Sequence, residues 1–190
     1  MIFAGPAFAG YQEGTDAFDR GDYTTALKEF QALADRNDAR GQYALGVMHD
    51  MGEGVPENLE EAAKWYRLAA EQGNKDAQNN LGVLLENGDG VSRNYEEAMG
   101  LYLAAAESGN RDAVNNIGVM YMTGVGVRRN FVKAVMWFHI AGKGDPAAAS
   151  NKKFLLKRLT PDEIIQAESL AKQWLMIRDQ KVPVNNNRLK

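Results

Sequence analysis

Apolar and small residues recur along this chain at helical rather than strand spacing. From Gly41 onward, Leu45, Met48 and His49 fall at i, i+3 and i+4, and Gly41 and Gly52 complete the stripe. That is one face of a helix. After a polar gap, Ala62, Tyr66, Ala69 and Ala70 repeat the same spacing and predict a second helix. Between the two stripes lies the loop Gly52-Glu53-Gly54-Val55 and then Asn58. Glycine supplies the positive φ of a helix C-cap, and asparagine is a strong N-cap. The stretch therefore reads as helix, glycine turn, helix.

The same pattern is written three times. The glycine loop returns at Gly88–Val91 and Gly124–Val127, each 36 residues after the last. Leu45-Gly46, Leu81-Gly82 and Ile117-Gly118 coincide without a gap, as do Asn58, Asn94 and Asn130, and Tyr66, Tyr102 and Phe138. A fixed period of this length is the mark of a repeat architecture. Gly46, Gly82 and Gly118 sit inside helices, where glycine costs about 1 kcal/mol against alanine. Their return predicts that another backbone packs on them, with the aromatic residue filling the space between units.

Two glycines one residue apart could also open a nucleotide site, but a phosphate-binding loop follows a strand and leads directly into a helix. Here a helix precedes the loop, and Pro56 or an arginine intervenes before the next helix. The loop turns a corner.

The three units resemble the Sel-one-like repeat family, relatives of the tetratricopeptide repeats, over Gly41 to Asp145. The resemblance implies an all-α fold, a right-handed α/α superhelix of tandem helix–turn–helix repeats. It further implies a concave side lined by the first helix of each unit, the surface on which such arrays bind partners. It implies little about which partner. The chain then divides into residues 1–10, a candidate signal-peptide remnant, and 11–40, a tetratricopeptide-like capping unit whose glycine loop is shortened to "RGDY". Residues 41–146 are the three repeats, 147–180 are C-terminal capping helices, and 181–190 are a flexible tail. Thr160, Pro161 and Glu163 have the spacing of a capping box that opens the last helix.

Residues 1–10, "MIFAGPAFAG", hold Ala7-Phe8-Ala9, small residues flanking a large one, as signal peptidase accepts. The basic start and most of the apolar core of a signal peptide are missing. Two readings stand: a remnant of an export signal, which makes the protein soluble in the periplasm, or an alanine-rich terminus of a cytoplasmic protein.

Composition narrows the chemistry. Hydrophobic residues make up 45% and charged residues 25% of 190, the balance of a folded soluble chain. A net charge of -3 gives no basic footprint, so nucleic acid is not an expected partner. No apolar run is long enough to insert into a membrane. There are no cysteines, which removes disulfides, thiol nucleophiles and cysteine metal sites. His49 and His139 are not spaced as metal ligands, and no cofactor is implied. His49 aligns with Leu85 and Tyr121 and reads as a core position. Trp65 and Trp137 recur with the repeat and read as packing. Glu60-Glu61 and Glu96-Glu97 open second helices, where carboxylates suit the helix dipole. Lys152, Lys153, Lys157 and Arg158 read as a solvated basic face.

The face opposite the buried stripe of each first helix is the candidate partner-binding groove. It comprises Ala44, Val47 and Asp50 in the first unit. Asn80, Val83 and Glu86 follow in the second, and Asn116, Val119 and Met122 in the third. A valine ladder flanked by amides and carboxylates suits an extended peptide, since an asparagine side chain can pair with both groups of a peptide bond. Asn80 and Asn116 have a second reading, as braces for the neighbouring backbone. The function expected is a non-catalytic scaffold or adaptor for a protein or peptide, in envelope assembly or signalling, as a monomer or weak dimer. The alternatives are a periplasmic hydrolase of the β-lactamase-like type and a regulatory inhibitor of a membrane sensor. The cysteine-rich branch of the family associated with that hydrolase activity is not matched here, and no S-x-x-K signature occurs.

Overall fold

The computed structural model describes residues 6–142 and 144–181, which form ten α-helices and, among the described residues, no strand. Residues 1–5 of the candidate signal remnant and 182–190 of the expected tail lie outside them. The chain divides into two compact units, Met1–Asn110 and Arg111–Lys190.

The first unit holds α1 (Pro6–Asp19), α2 (Tyr23–Ala34), α3 (Ala39–Met51), α4 (Leu59–Glu71), α5 (Lys75–Asn87) and α6 (Tyr95–Glu107). Each odd-numbered helix packs antiparallel on the next, and α2 and α4 each pack on the helix that follows. Helix α1 starts at Pro6, so residues 6–10 of the stretch read as a signal remnant are its first turn. The "RGDY" turn is tight: Gly21 N–H donates to Phe18 O at 2.9 Å, and Asp22 caps α2 through the Thr25 amide. The cap positions follow the sequence. Gly52 ends α3 at φ 69°. Asn58 and Asn94 each accept the amide three residues on at 3.1 Å.

The helical glycines seat rings. A Cβ on Gly46 would lie 2.5 Å from the Tyr66 ring, and one on Gly82 would lie 2.6 Å from the Tyr102 ring. The partner is the aromatic of the same repeat's second helix, not a foreign backbone as the sequence pattern implied. A helix without a side chain there admits a flat ring edge-on, and Tyr66 and Tyr102 are 0% exposed. Such burial stabilises by about 1.5–3 kcal/mol per side chain. The N-terminal hairpin follows the same rule, with Gly14 facing Phe30. The buried stripe also differs from expectation at two places. Gly52 is exposed, and His49 is half-buried.

Contact between successive repeats explains the second loop glycine. A Cβ on Gly90 would strike the Leu59 backbone at the start of α4, so only glycine fits that approach. Within each of the first two repeats a polar pair ties the end of the second helix back to the start of the first. Gln72 Nε2 donates to Gln42 Oε1 at 2.6 Å, and the buried Asn110 donates to Asp76 Oδ1 at 2.8 Å.

The second unit holds α7 (Arg111–Thr123), α8 (Phe131–Ala141), α9 (Pro146–Leu156) and α10 (Pro161–Lys181). Helices α7 and α8 repeat the hairpin, with Gly118 seating Phe138 at 2.5 Å by the same construction. Helices α9 and α10 both pack on α8. Trp137 of α8 is buried and meets Trp174 of α10 edge-to-face at 5.1 Å. The α10 capping box forms as spaced: Thr160 N–H donates to Glu163 Oε2 at 2.8 Å, and Glu163 N–H returns to Thr160 Oγ1 at 3.3 Å.

Candidate protein-binding surfaces

In the first unit the candidate residues come together on α3 and α5. Val47 and Val83 are half-buried, while Ala44 is only 7% exposed and contributes floor rather than free surface. Helix α1 lies over this end of the face. With it, Ala44 and Val47 line an open cavity of about 150 Å³ completed by Tyr11, Phe18, Phe30 and Tyr43. Tyr11 and Tyr43 are site residues that the pattern did not select. Tyr43 was within reach, since it stands four positions before Val47 on the same helix face. The cavity is too small for a drug-sized ligand, whose sites run to about 300–1,000 Å³. It is sized for one apolar side chain.

The two carboxylates expected in the groove already have partners. Tyr66 O–H donates to Asp50 Oδ2 at 2.8 Å, and Tyr102 O–H donates to Glu86 Oε2 at 2.8 Å. Burial, with the adjacent carboxylate next for Tyr102, raises the pKa of both tyrosines far above the ordinary range. They stay neutral donors. Each carboxylate keeps further acceptor capacity on its half-exposed side. Asn80 accepts from Asn79 at 3.2 Å and lies close enough to the hydroxyls of Tyr43 and Tyr66 to counter part of the rise in their pKa, so it stands among side chains as well as facing outward.

In the second unit Asn116, Val119 and Met122 are all half-buried on α7. Phe138 replaces the tyrosine, and Met122 stands where the carboxylate stood. Beside them a second cavity is lined by Tyr121, Val127, Arg128, Arg129, Asn130 and Lys133. Of the expected basic face, Lys152 Nζ lies 2.9 Å from His139 Nδ1, and the Arg158 guanidinium sits 3.6 Å above the Phe154 ring. Burial first, and then Lys152, lower the pKa of His139.

Among the described residues no cluster of histidine and carboxylate side chains could hold a metal ion, and no helix is long and apolar enough to cross a membrane.

Helix hairpins repeated at a fixed period, each locked by an aromatic ring over a glycine, define a tandem α/α-repeat protein of the solenoid class. Residues 39–74, 75–110 and 111–146 each match the Sel1 repeat, and the chain belongs to the Sel1 repeat family. It is similar to a Sel1 repeat protein from Oxalobacter formigenes, with TM-score 0.68 and 31% identity over 74% of this chain and 58% of that one. It is also similar to c5321, a protective antigen of uropathogenic Escherichia coli strains displaying an SLR fold. There the TM-score is 0.62 and identity 27%, over 98% of this chain and 50% of that one. The DAP3-binding cell death enhancer 1 proteins of Rattus norvegicus and Mus musculus are 41% identical over 49 residues, 26% of this chain and 10% of theirs. The chain therefore spans about half of its structural relatives and a small part of the curated ones.

Proposed function

We propose that this chain is a non-catalytic protein-interaction module that holds an extended peptide segment against α1, α3 and α5. The observation that carries the reading is the small apolar cavity between α1 and α3, walled by Tyr11, Tyr43 and Val47. Its volume takes one side chain as an anchor. Past it the face continues as Asn80 and Val83, with Asp50 and Glu86 able to accept peptide N–H groups. Tyrosine walls suit this work because they bring large contact area with few rotatable bonds. The surrounding hydrogen bonds hold the face in shape before a ligand arrives, which reduces the ordering cost of binding.

The test is selection from a random peptide library against the full chain, followed by titration of the selected peptides. Selected peptides are expected to share one apolar residue. Val47→Glu should weaken them more than tenfold, the scale of a buried anchor worth about 2 kcal/mol. Leu68→Glu, on the exposed outer side of α4, should leave them unchanged. Peptides insensitive to Val47→Glu would sink this reading.

A further inference from the structure

The three interhelical loops share one backbone and differ in charge. Residues 53–61 hold Glu53, Glu57, Glu60 and Glu61 and no cation. Residues 89–97 hold Asp89, Glu96 and Glu97 against Arg93. Residues 125–133 hold Arg128, Arg129 and Lys133 and no carboxylate. The scaffold does not require the change. Gly52, Gly88 and Gly124 keep φ at 69°, 82° and 81°, and Asn130 caps α8 through the Lys133 amide at 2.9 Å, as its counterparts do. Folding alone favours the acidic form, because carboxylates in a helix's first turn complement its dipole and cations oppose it. Lys133 nevertheless stands where Glu61 and Glu97 stand.

These cations line an open cavity of about 500 Å³. None of the three is in an ion pair among the described residues. The Arg129 guanidinium lies 5.4 Å over the Phe131 ring, and the Lys133 ammonium lies 5.1 Å over the Tyr121 ring. The rings hold these two heads at the wall through cation–π attraction, which leaves their outer sides open to an anion. Asn130 already satisfies the Lys133 amide at the helix end, so recognition falls to spread side chains rather than to a compact backbone cradle. Spread cations match carboxylates spaced along a chain, and a guanidinium takes each carboxylate with two parallel bonds.

We propose that this cavity docks an acidic segment of a protein partner, with Arg128, Arg129 and Lys133 each engaging a carboxylate. It rests on residues other than those of the α1, α3 and α5 face, so either surface can fail without the other. The probe is a fluorescein-labelled peptide of alternating glutamate and alanine, titrated by anisotropy against the full chain. The parent should bind it, and more weakly as salt rises to about 0.15 M. Arg128→Glu, Arg129→Glu and Lys133→Glu together should weaken binding at least about tenfold, as loss of close charge pairs does. Lys152→Glu, Lys153→Glu and Lys157→Glu, an equal charge change on α9 and its C-cap, should leave it within about twofold of the parent. The milder pair Arg128→Gln and Arg129→Gln should fall between, with circular dichroism unchanged. Four results would overturn the proposal: no binding by the parent, equal loss in both triple variants, displacement by inorganic phosphate, or tighter binding of a labelled single-stranded oligonucleotide. So would sedimentation showing a dimer that the Arg128, Arg129 and Lys133 variant loses, since the occupant would then be the acidic loop of a second copy.

Discussion

The two units carry the same hairpin and opposite charge. Residues 1–110 hold 19 acidic and 8 basic residues, a net of -11; residues 111–190 hold 6 acidic and 14 basic, a net of +8. Inside, both seat a buried ring over a helical glycine. At the seat itself the units differ at the ring's tip, which carries a hydroxyl bonded to a carboxylate at Tyr66 and Tyr102 and has neither at Phe138. The comparison separates two kinds of position. Those that recur every 36 residues set the fold, because each fills a fixed volume or cap. Those that do not recur are free to set what each unit attracts.

If the ring seat is equivalent in both units, emptying it should cost the same in both. Tyr102→Ala and Phe138→Ala are each expected to destabilise by about 3–5 kcal/mol, the range for large-to-small changes at fully buried aromatics. Urea denaturation followed by circular dichroism measures this. A loss under about 1 kcal/mol at either site would show that the seats are not equivalent.

The ring tips offer a finer break. Phe138→Tyr would put a hydroxyl opposite Met122 with no acceptor, at a cost of about 1–3 kcal/mol for a buried unsatisfied polar group. Adding Met122→Glu should recover most of that, because it recreates the Tyr102–Glu86 pair. A double-mutant cycle measures the coupling directly. No coupling between positions 122 and 138 would mean that the hydroxyl–carboxylate pairs of the first unit are incidental.

Much of this was legible in the sequence, for physical reasons. Caps are local: Asn58, Gly52 and the Thr160–Glu163 box depend on neighbours within a few residues, and they formed as spaced. The partner of Gly46 is not legible, because a bare helical position says only that something approaches closely. Whether that is a backbone or the Tyr66 ring is a tertiary fact. The occupancy of Asp50 and Glu86 is written in the sequence as well. A carboxylate stands sixteen residues before each tyrosine and a methionine sixteen before the phenylalanine, a co-occurrence that announces the bond. The cationic cavity was hidden by averaging, since a net charge of -3 conceals a charge inversion between two equivalent loops.

The smallest expected effect again separates the units, this time by pH. His139 of α8 faces Lys152 on α9 and both Glu168 and Lys172 on α10. Burial and the two lysines outweigh Glu168, so the folded-state pKa lies below the ordinary 6.5. The neutral ring accepts the Lys152 ammonium at Nδ1, 2.9 Å away. On acidification the unfolded chain takes up the proton first. The stabilisation from this site is therefore full above about pH 6.5 and is lost as pH falls through the folded value. Asp38 and Glu61, whose pKa values are lowered by Arg40 and Lys64, respond only at more acidic pH, in the carboxylate range. Urea midpoints compared between about pH 7.5 and pH 5.5 should thus drop in the parent and drop less in His139→Gln. A parent that gains stability on acidification, or a variant with the same slope, would mean that His139 is solvated enough to charge without penalty. The Lys152 contact would then be a surface encounter rather than part of the second unit's core.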